Sequence, residues 1–117
     1  MIPKFRAWNS ETKEIEVFET YEEISELFLA LSADDGFYSI MQSTGLVDKN
    51  GKEIFEGDIL GTNDGLLNGI VEWRTDLGLW TNSLLRYNNF ERLCSIANSR
   101  EIIGNIYENP ELLEVEE

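Results

Sequence analysis

The chain has 117 residues, with 23 Asp and Glu against nine Lys and Arg, which gives a formal net charge of −14 at pH 7. Its length fits a single domain, 1–117, and its 42% hydrophobic and 11% aromatic residues exclude an intrinsically disordered chain. The excess of acids disfavours direct binding of nucleic acid, and we expect no membrane association, because the chain has neither a basic amphipathic helix nor an apolar run of about 18 residues.

The N-terminal part of the chain predicts a β-hairpin followed by a helix. Residues 4–8 and 15–18 alternate apolar and polar positions, and the residues between them favour a turn. Thr20 and Glu23 have the spacing of a capping box, so we expect an amphipathic helix over residues 20–32. Its apolar positions recur at the helical period, which predicts one face packed on a sheet. These positions are Tyr21, Ile24, Leu27, Phe28 and Leu31.

From residue 37 onward, short strands separated by turn signals predict a small, partly open β-barrel. The predicted paired strands are residues 69–74, 79–85, 92–97 and 102–107. Asn109 and Pro110 stand in the order that starts a helix, with Asn109 as the capping residue, so we expect a short C-terminal helix at residues 110–115. The predicted fold class is therefore mainly β (α+β), with one amphipathic helix and a short C-terminal one.

Three segments of the chain carry a resemblance to a known family. They are residues 2–8 (IPKFRAW), 41–60 (MQSTGLVDKNGKEIFEGDIL) and 102–113 (IIGNIYENPELL). With these segments the chain resembles the YopX family of small phage and prophage proteins. The resemblance implies a mainly β architecture, a small barrel somewhat like the SH3 type that carries a helix, and brings no established activity. Residues 61–100 and the predicted helix match no motif of the family, so we expect them to carry what is particular to this chain.

The sequence lacks the residues of the commonest catalytic and metal sites. It has no His and only one Cys, which excludes a His general base and a thiolate metal cluster, and it has no Gly-rich phosphate loop. Residues 48–53 (DKNGKE) resemble a calcium loop only superficially, because the Gly comes two places early and two lysines interrupt the ligands. A turn capped by the Asp48 side chain explains the same residues. We predict no cofactor, no bound metal and no catalytic residue.

Aromatic and leucine side chains are the candidate partner-binding residues. Trp73, Trp80 and Tyr87 either line a groove for a protein segment or belong to the core. Trp80 is expected to be the most exposed of them, because it lies in a mixed region with turn residues and polar neighbours. Leu112 and Leu113, in the acidic C-terminal segment, are candidates for a docking helix.

Cys94 is the single cysteine, so no intrachain disulfide is possible and a reducing cytoplasm is the expected compartment. Its apolar neighbours predict a buried thiol.

Three classes of function remain open. The leading one is a non-enzymatic binding or assembly protein encoded by a phage or prophage, which binds a host or phage protein or forms a homo-oligomer through strand edges such as residues 102–106. The second is an acidic DNA mimic that inhibits a host nucleic-acid-binding protein. The third is a carboxylate or metal-dependent hydrolase around Asp58, Glu56 and Glu53, although an Asp at the start of a strand more often accepts backbone hydrogen bonds.

Overall fold

The computed structural model describes residues 4–32 and 36–114, in which nine β-strands dominate. Contacts divide the chain into two compact units, residues 1–43 and 44–117. The expectation of one domain over 1–117 stays a prediction. Within the described residues, no helix combines the length and the apolar character needed to cross a membrane.

The first unit contains a three-stranded antiparallel arrangement and a helix. Strand β1 (Phe5–Asn9) pairs with β2 (Glu14–Phe18) on one side and with the first half of β3 (Tyr38–Val47) on the other. The predicted hairpin of β1 and β2 is therefore confirmed. Strand β1 is the central strand of the three-stranded arrangement. Helix α1 (Tyr21–Ser32) follows β2.

Helix α1 begins with the predicted capping box. The Glu23 amide donates to the Thr20 hydroxyl at 3.1 Å, and the Thr20 amide donates to the Glu23 carboxylate at 3.2 Å. Ile24 and Leu27 are buried, as predicted for the inner face. Phe28 is 48% exposed but contacts Phe5 of β1 edge-to-face, with ring centroids 5.9 Å apart, as predicted for a face packed on the sheet. Tyr21, at 69% exposure, lies outside this face.

The second unit is built on a five-stranded antiparallel sheet with the order β8-β7-β6-β5-β9. Its elements in chain order are β4 (Glu53–Phe55), β5 (Asp58–Gly61), β6 (Gly69–Arg74), β7 (Leu79–Leu84), β8 (Phe90–Arg92), α2 (Leu93–Ile96) and β9 (Glu101–Asn105). Strand β4 lies beside β3 in the other sheet. The buried core is Ile54, Leu60, Val71, Leu93 and Ala97.

The prediction of a strand over residues 92–97 was wrong. Strand β8 ends at Arg92, and Leu93–Ile96 forms the short helix α2, which a 3-10 turn at Ala97–Ser99 follows. Leu93 and Ala97 are both buried, at 0% and 3% exposure. A spacing of four residues brings both side chains to one face of a helix.

At the C-terminus, the predicted helix is a 3-10 turn at Pro110–Leu113, and Val115, the last predicted residue, lies outside the described residues. Asn109 precedes the turn without capping it, because its side-chain oxygen accepts the Asn105 amide instead. The mainly β, barrel-like α+β class with one amphipathic helix is confirmed. The likeness to the SH3 type stays a prediction.

Candidate functional site

Asp48 has a structural role in the turn between β3 and β4. One carboxylate oxygen accepts the amides of Asn50 and Lys52, both at 2.9 Å, and the other accepts the Ile102 amide of β9 at 3.0 Å. Burial acts to raise the pKa of Asp48, but the three amide hydrogen bonds and the charge of Lys52 outweigh it and hold the pKa below its usual value. The predicted turn capped by Asp48 is confirmed, and the side chain also ties that turn to β9.

Asp58, the centre of the hydrolase alternative, is buried and accepts the Phe55 amide at 2.8 Å. This is the structural role expected for an Asp at a strand start. Among the described residues, no group of three or more His, Cys, Asp or Glu side chains is placed to hold a metal ion. The structure therefore offers no argument for a site around Asp58, Glu56 and Glu53, and the absence of enzymatic activity stays a prediction.

The two tryptophans of the second unit meet across the β6–β7 hairpin. Trp73 and Trp80 are directly opposite each other in the strand register, and their rings make an edge-to-face contact with centroids 5.4 Å apart at 70°. Because side chains alternate along a strand, both lie on the sheet face that carries Val71 of the core. Trp80 packs on the core, whereas Trp73 is 44% exposed. The prediction that Trp80 is the most exposed of the aromatic candidates was therefore wrong, because Trp73 is more exposed than Trp80.

Beside this pair lies an apolar cleft of about 250 Å³. The residues that line it include Leu46, Trp73, Leu79, Trp80, Arg92 and Cys94, and it is called the tryptophan cleft below. The prediction of a buried Cys94 was wrong, because the thiol-bearing residue is exposed on α2 and lines the cleft. Its neighbours Leu93 and Ile96 turn toward the core, and the helical geometry directs Cys94 away from it.

Tyr87, the third aromatic candidate, lines a separate polar groove of about 440 Å³. Glu72 and Arg74 belong to the same groove and to the opposite face of β6 from Trp73. Both charges are already satisfied: Glu72 accepts a hydrogen bond from the Ser83 hydroxyl, and Arg74 forms a two-bond ion pair with Asp76. The structure therefore brings Trp73 and Trp80 together but leaves Tyr87 at another site.

Leu112 and Leu113 are half-buried in the C-terminal 3-10 turn, and neither is among the residues that line the tryptophan cleft or the polar groove. Their role as partner-binding residues stays a prediction.

Sequence reasoning missed the contributions of Leu46, Leu79 and Arg92 to the cleft. A hairpin with the turn at residues 75–78 places Trp80 opposite Trp73, but it pairs Leu79 with Arg74 on the other face, so this register does not predict Leu79 in the cleft. Leu46 and Arg92 come from strands β3 and β8, and only the tertiary fold brings them to the hairpin.

Comparison with known proteins finds a family and similar solved structures. The family model described as YopX protein matches residues 4–114. The crystal structure of protein EF1440 from Enterococcus faecalis is similar over 97% of this chain and 99% of that chain, with 29% identity and a TM-score of 0.65. The crystal structure of protein yopX from Bacillus subtilis is similar over 100% of both chains with 17% identity and a TM-score of 0.52, which indicates a shared fold. No curated protein matches the chain.

Proposed function

The chain belongs to the YopX family, and from this premise we propose that it is a non-enzymatic protein-binding module that contacts its partner through the tryptophan cleft. The observation that carries the proposal is the exposure of Trp73 beside the half-buried Trp80. Tryptophan is among the residues that contribute most to protein–protein affinity, because a large rigid ring is desolvated at little cost in side-chain entropy. An exposed Trp backed by a second Trp supports a docking role.

The size of the cleft favours a side chain over a small-molecule substrate. At about 250 Å³ it is smaller than the roughly 300–1,000 Å³ of ordinary small-molecule sites. Leu77, in the turn next to the cleft, is 45% exposed and extends the apolar surface beyond it. A cleft that takes one large apolar side chain, with apolar surface at its rim, suits a protruding residue of a protein partner.

The location of the cleft in the chain also supports a binding role. Apart from Leu46, the residues that line it belong to residues 61–100, outside the three segments that carried the family resemblance in the sequence. The segments that carry the family resemblance contain Asp48, Asp58 and Asn105, whose side chains satisfy backbone amides. We infer that these segments build the scaffold and that residues 61–100 determine the partner.

The proposal includes a host or phage protein as the partner, a phage or prophage setting and a cytoplasmic place of action. These parts rest on the family resemblance and on the single cysteine.

The experiment compares capture of proteins from a bacterial lysate on immobilised wild type, Trp73→Ser and Tyr87→Ser. Both substitutions remove an exposed aromatic ring, and only Trp73 belongs to the cleft. We expect a protein that is retained by wild type and by Tyr87→Ser and lost from Trp73→Ser. Retention of the same proteins by all three would contradict the proposal. If the retained protein is a basic nucleic-acid-binding protein that salt releases equally from all three, the DNA-mimic alternative is favoured instead.

Self-association through a strand edge is a second possibility. The contacts of β9 favour the edge of β2 over the predicted edge at residues 102–106. The outer side of β9, which overlaps residues 102–106, is partly covered, because the Ile102 amide donates to Asp48 and the Arg100 carbonyl accepts the Lys49 amide. Strand β2 is the outer strand of its sheet and exposes Val17 at 45%. Light scattering tests this form of the proposal: a dimer that Val17→Lys converts to a monomer supports β2, and a wild-type monomer excludes it.

A further inference from the structure

Strand β2 is the outer strand of its sheet, whose order is β2-β1-β3-β4, and the hydrogen bonds of β1 determine which backbone groups of β2 face outward. Next to one end of β1, the Ser43 amide donates to the Lys4 carbonyl at 3.0 Å. Next to the other end, the Ser10 amide donates to the Phe37 carbonyl at 2.9 Å. Residues of a central antiparallel strand bond alternately to its two neighbours. The even-numbered residues of β1 therefore bond to β3, and the odd-numbered residues bond to β2.

This alternation leaves Ile15 and Val17 with outward-facing backbone groups. The odd-numbered residues of β1 are opposite Glu14, Glu16 and Phe18 in the register, so these three residues of β2 bond to β1. The N–H and C=O groups of the two residues between them point away from the sheet, and in the described part of the chain no strand pairs with that side. An exposed edge of this kind is a template on which another extended segment can add as a strand.

The side chains of β2 present a different chemistry on each face of the strand. Glu14 and Glu16 lie on one face, whereas Ile15 and Val17 lie on the other, because side chains alternate along a strand. Both glutamates are exposed, and within residues 4–32 and 36–114 neither forms an ion pair. Val17 is 45% exposed. The open edge therefore combines free backbone groups with two uncompensated acids and an exposed apolar side chain.

We propose that β2 binds an extended segment of a protein partner in which basic and apolar residues alternate, and that this segment adds to the sheet as a fifth strand. Its basic side chains lie opposite Glu14 and Glu16, and its apolar side chains lie opposite Ile15 and Val17, because directly opposite side chains of paired strands interact. The inference goes beyond the proposed function, since β2 belongs to the first unit and the tryptophan cleft is lined by residues of the second.

A second copy of the chain fits this edge less well than a basic segment does. The antiparallel register that pairs Ile15 of one copy with Val17 of another also places the two Glu16 side chains opposite each other, and like charges in that position destabilise a strand pair. The register that pairs Val17 with itself sets Ile15 against Glu19. The net charge of −14 adds repulsion between copies and attraction for a basic segment.

The test uses three heptapeptides with acetylated and amidated ends, TKVKVKT, TEVEVET and TKKVVKT. The second reverses the charge of the first, and the third has the composition of the first without its alternation. Each is titrated into the full-length chain while NMR follows the backbone amides of Ile15 and Val17, both their resonance positions and their hydrogen exchange. The indole N–H resonances of Trp73 and Trp80 report on the cleft in the same spectra.

The variants separate the contribution of the backbone from that of the charges. Val17→Pro removes one outward N–H, and a proline is tolerated in an edge strand where its nitrogen faces solvent. Glu14→Lys combined with Glu16→Lys reverses the charge of the edge. Glu111→Lys combined with Glu114→Lys makes the same change of charge at exposed positions of the second unit and is the matched control.

In the free chain, we expect the amides of Ile15 and Val17 to exchange faster than those of Glu16 and Phe18, which bond to β1. TKVKVKT should shift and protect the outward amides and bind about tenfold more tightly than either other peptide, because two opposite-charge pairs and the alternation are all satisfied. Val17→Pro should abolish this binding. The double lysine variant of β2 should prefer TEVEVET, and the control variant should keep the wild-type preference.

Equal binding of the three peptides, or a preference that the lysines in β2 leave intact, overturns the inference. Unshifted amides of Ile15 and Val17 at millimolar peptide overturn it as well. If the peptide shifts Trp73 and Trp80 alone, the inference fails while the proposed function of the cleft stands. Slow exchange of the outward amides in the free chain, together with a dimer in light scattering, would assign the edge to a second copy instead.

Discussion

Replacing Asp48 should destabilise the second unit, because one side chain satisfies three backbone amides. Its carboxylate accepts from Asn50 and Lys52 within the turn and from Ile102 in β9, and the residue is 3% exposed. In Asp48→Asn, one acceptor oxygen becomes an NH₂ donor, so whichever way the new amide is oriented, at least one of the three N–H groups faces another donor. In Asp48→Ala all three lose their partner.

The magnitude follows from the kind of hydrogen bond lost. Bonds to a charged group contribute about 1.5–3 kcal/mol each and neutral ones about 0.5–1.5 kcal/mol, and an unsatisfied buried N–H costs about 1–3 kcal/mol. We expect Asp48→Asn to lower the free energy of unfolding by about 2–4 kcal/mol and Asp48→Ala by about 3–5 kcal/mol. Glu114→Gln, which makes the same change of charge at an exposed position of the same unit, is the control and should change stability by less than about 0.5 kcal/mol.

The effect of Asp48→Asn should also depend on pH. Because the pKa of Asp48 is lower in the folded chain than the ordinary value of 3.8, its stabilising contribution is complete above that pH and is lost as the pH falls through the folded pKa. Urea unfolding followed by tryptophan fluorescence at pH 7 and at successively lower pH measures the difference between wild type and variant. The difference should be largest at pH 7 and shrink below about pH 4. A difference that is under about 0.5 kcal/mol at pH 7, or that is constant with pH, would refute this account of Asp48.

Three further predictions concern a glycine, a helix cap and the two tryptophans. Gly69→Ala should lower the free energy of unfolding by about 1–3 kcal/mol in urea, because a Cβ there would lie 2.5 Å from the buried Asn82 side-chain oxygen; an unchanged midpoint would contradict the close contact. Thr20→Ala removes the hydroxyl that caps helix α1 and should cost about 1 kcal/mol, with loss of helical signal in circular dichroism; no change would mean that the capping box is not formed in solution. Trp80→Ala should destabilise by about 3 kcal/mol because Trp80 packs on the core, whereas Trp73→Ser should cost about 1 kcal/mol or less; equal losses in thermal unfolding would contradict the assigned burial.

Local signals in the sequence predicted much of the fold. The capping box of Thr20 and Glu23 located the start of α1, and the apolar runs of residues 69–74 and 79–85 gave β6 and β7 almost to the residue. The turn at Asp48 was also predictable, because Asp and Asn-Gly have specific turn geometries. In each case the information lies within a few neighbouring residues.

The predictions failed where contacts with other parts of the fold determine the local structure. A short apolar segment at residues 92–97 suits a strand or a helical turn, and the burial of Leu93 and Ala97 on one face selects the helix and exposes Cys94. Asn109 is a residue type that often caps a helix, but here its side-chain oxygen accepts a hydrogen bond from the Asn105 amide instead.

The candidate site was predictable in part. Trp73 and Trp80 were singled out from the sequence, and the hairpin register would have paired them. Which of the two is exposed depends on how the β6–β7 hairpin lies over the core, and the polar neighbours of Trp80 gave the wrong answer. Leu46 and Arg92 could not be found from the sequence, because only the tertiary fold brings strands β3 and β8 to the hairpin.

The most direct test of a protein-binding tryptophan cleft is the rate at which Cys94 reacts with a small maleimide, measured with and without the protein that Trp73→Ser fails to capture. Cys94 is the single cysteine of the chain, and it lines the cleft, so its alkylation reports on that surface alone. The account predicts that saturating partner slows the reaction at least about tenfold, because a side chain in the cleft covers the thiol. An unchanged rate in the saturated complex would place the partner elsewhere on the surface and contradict the account.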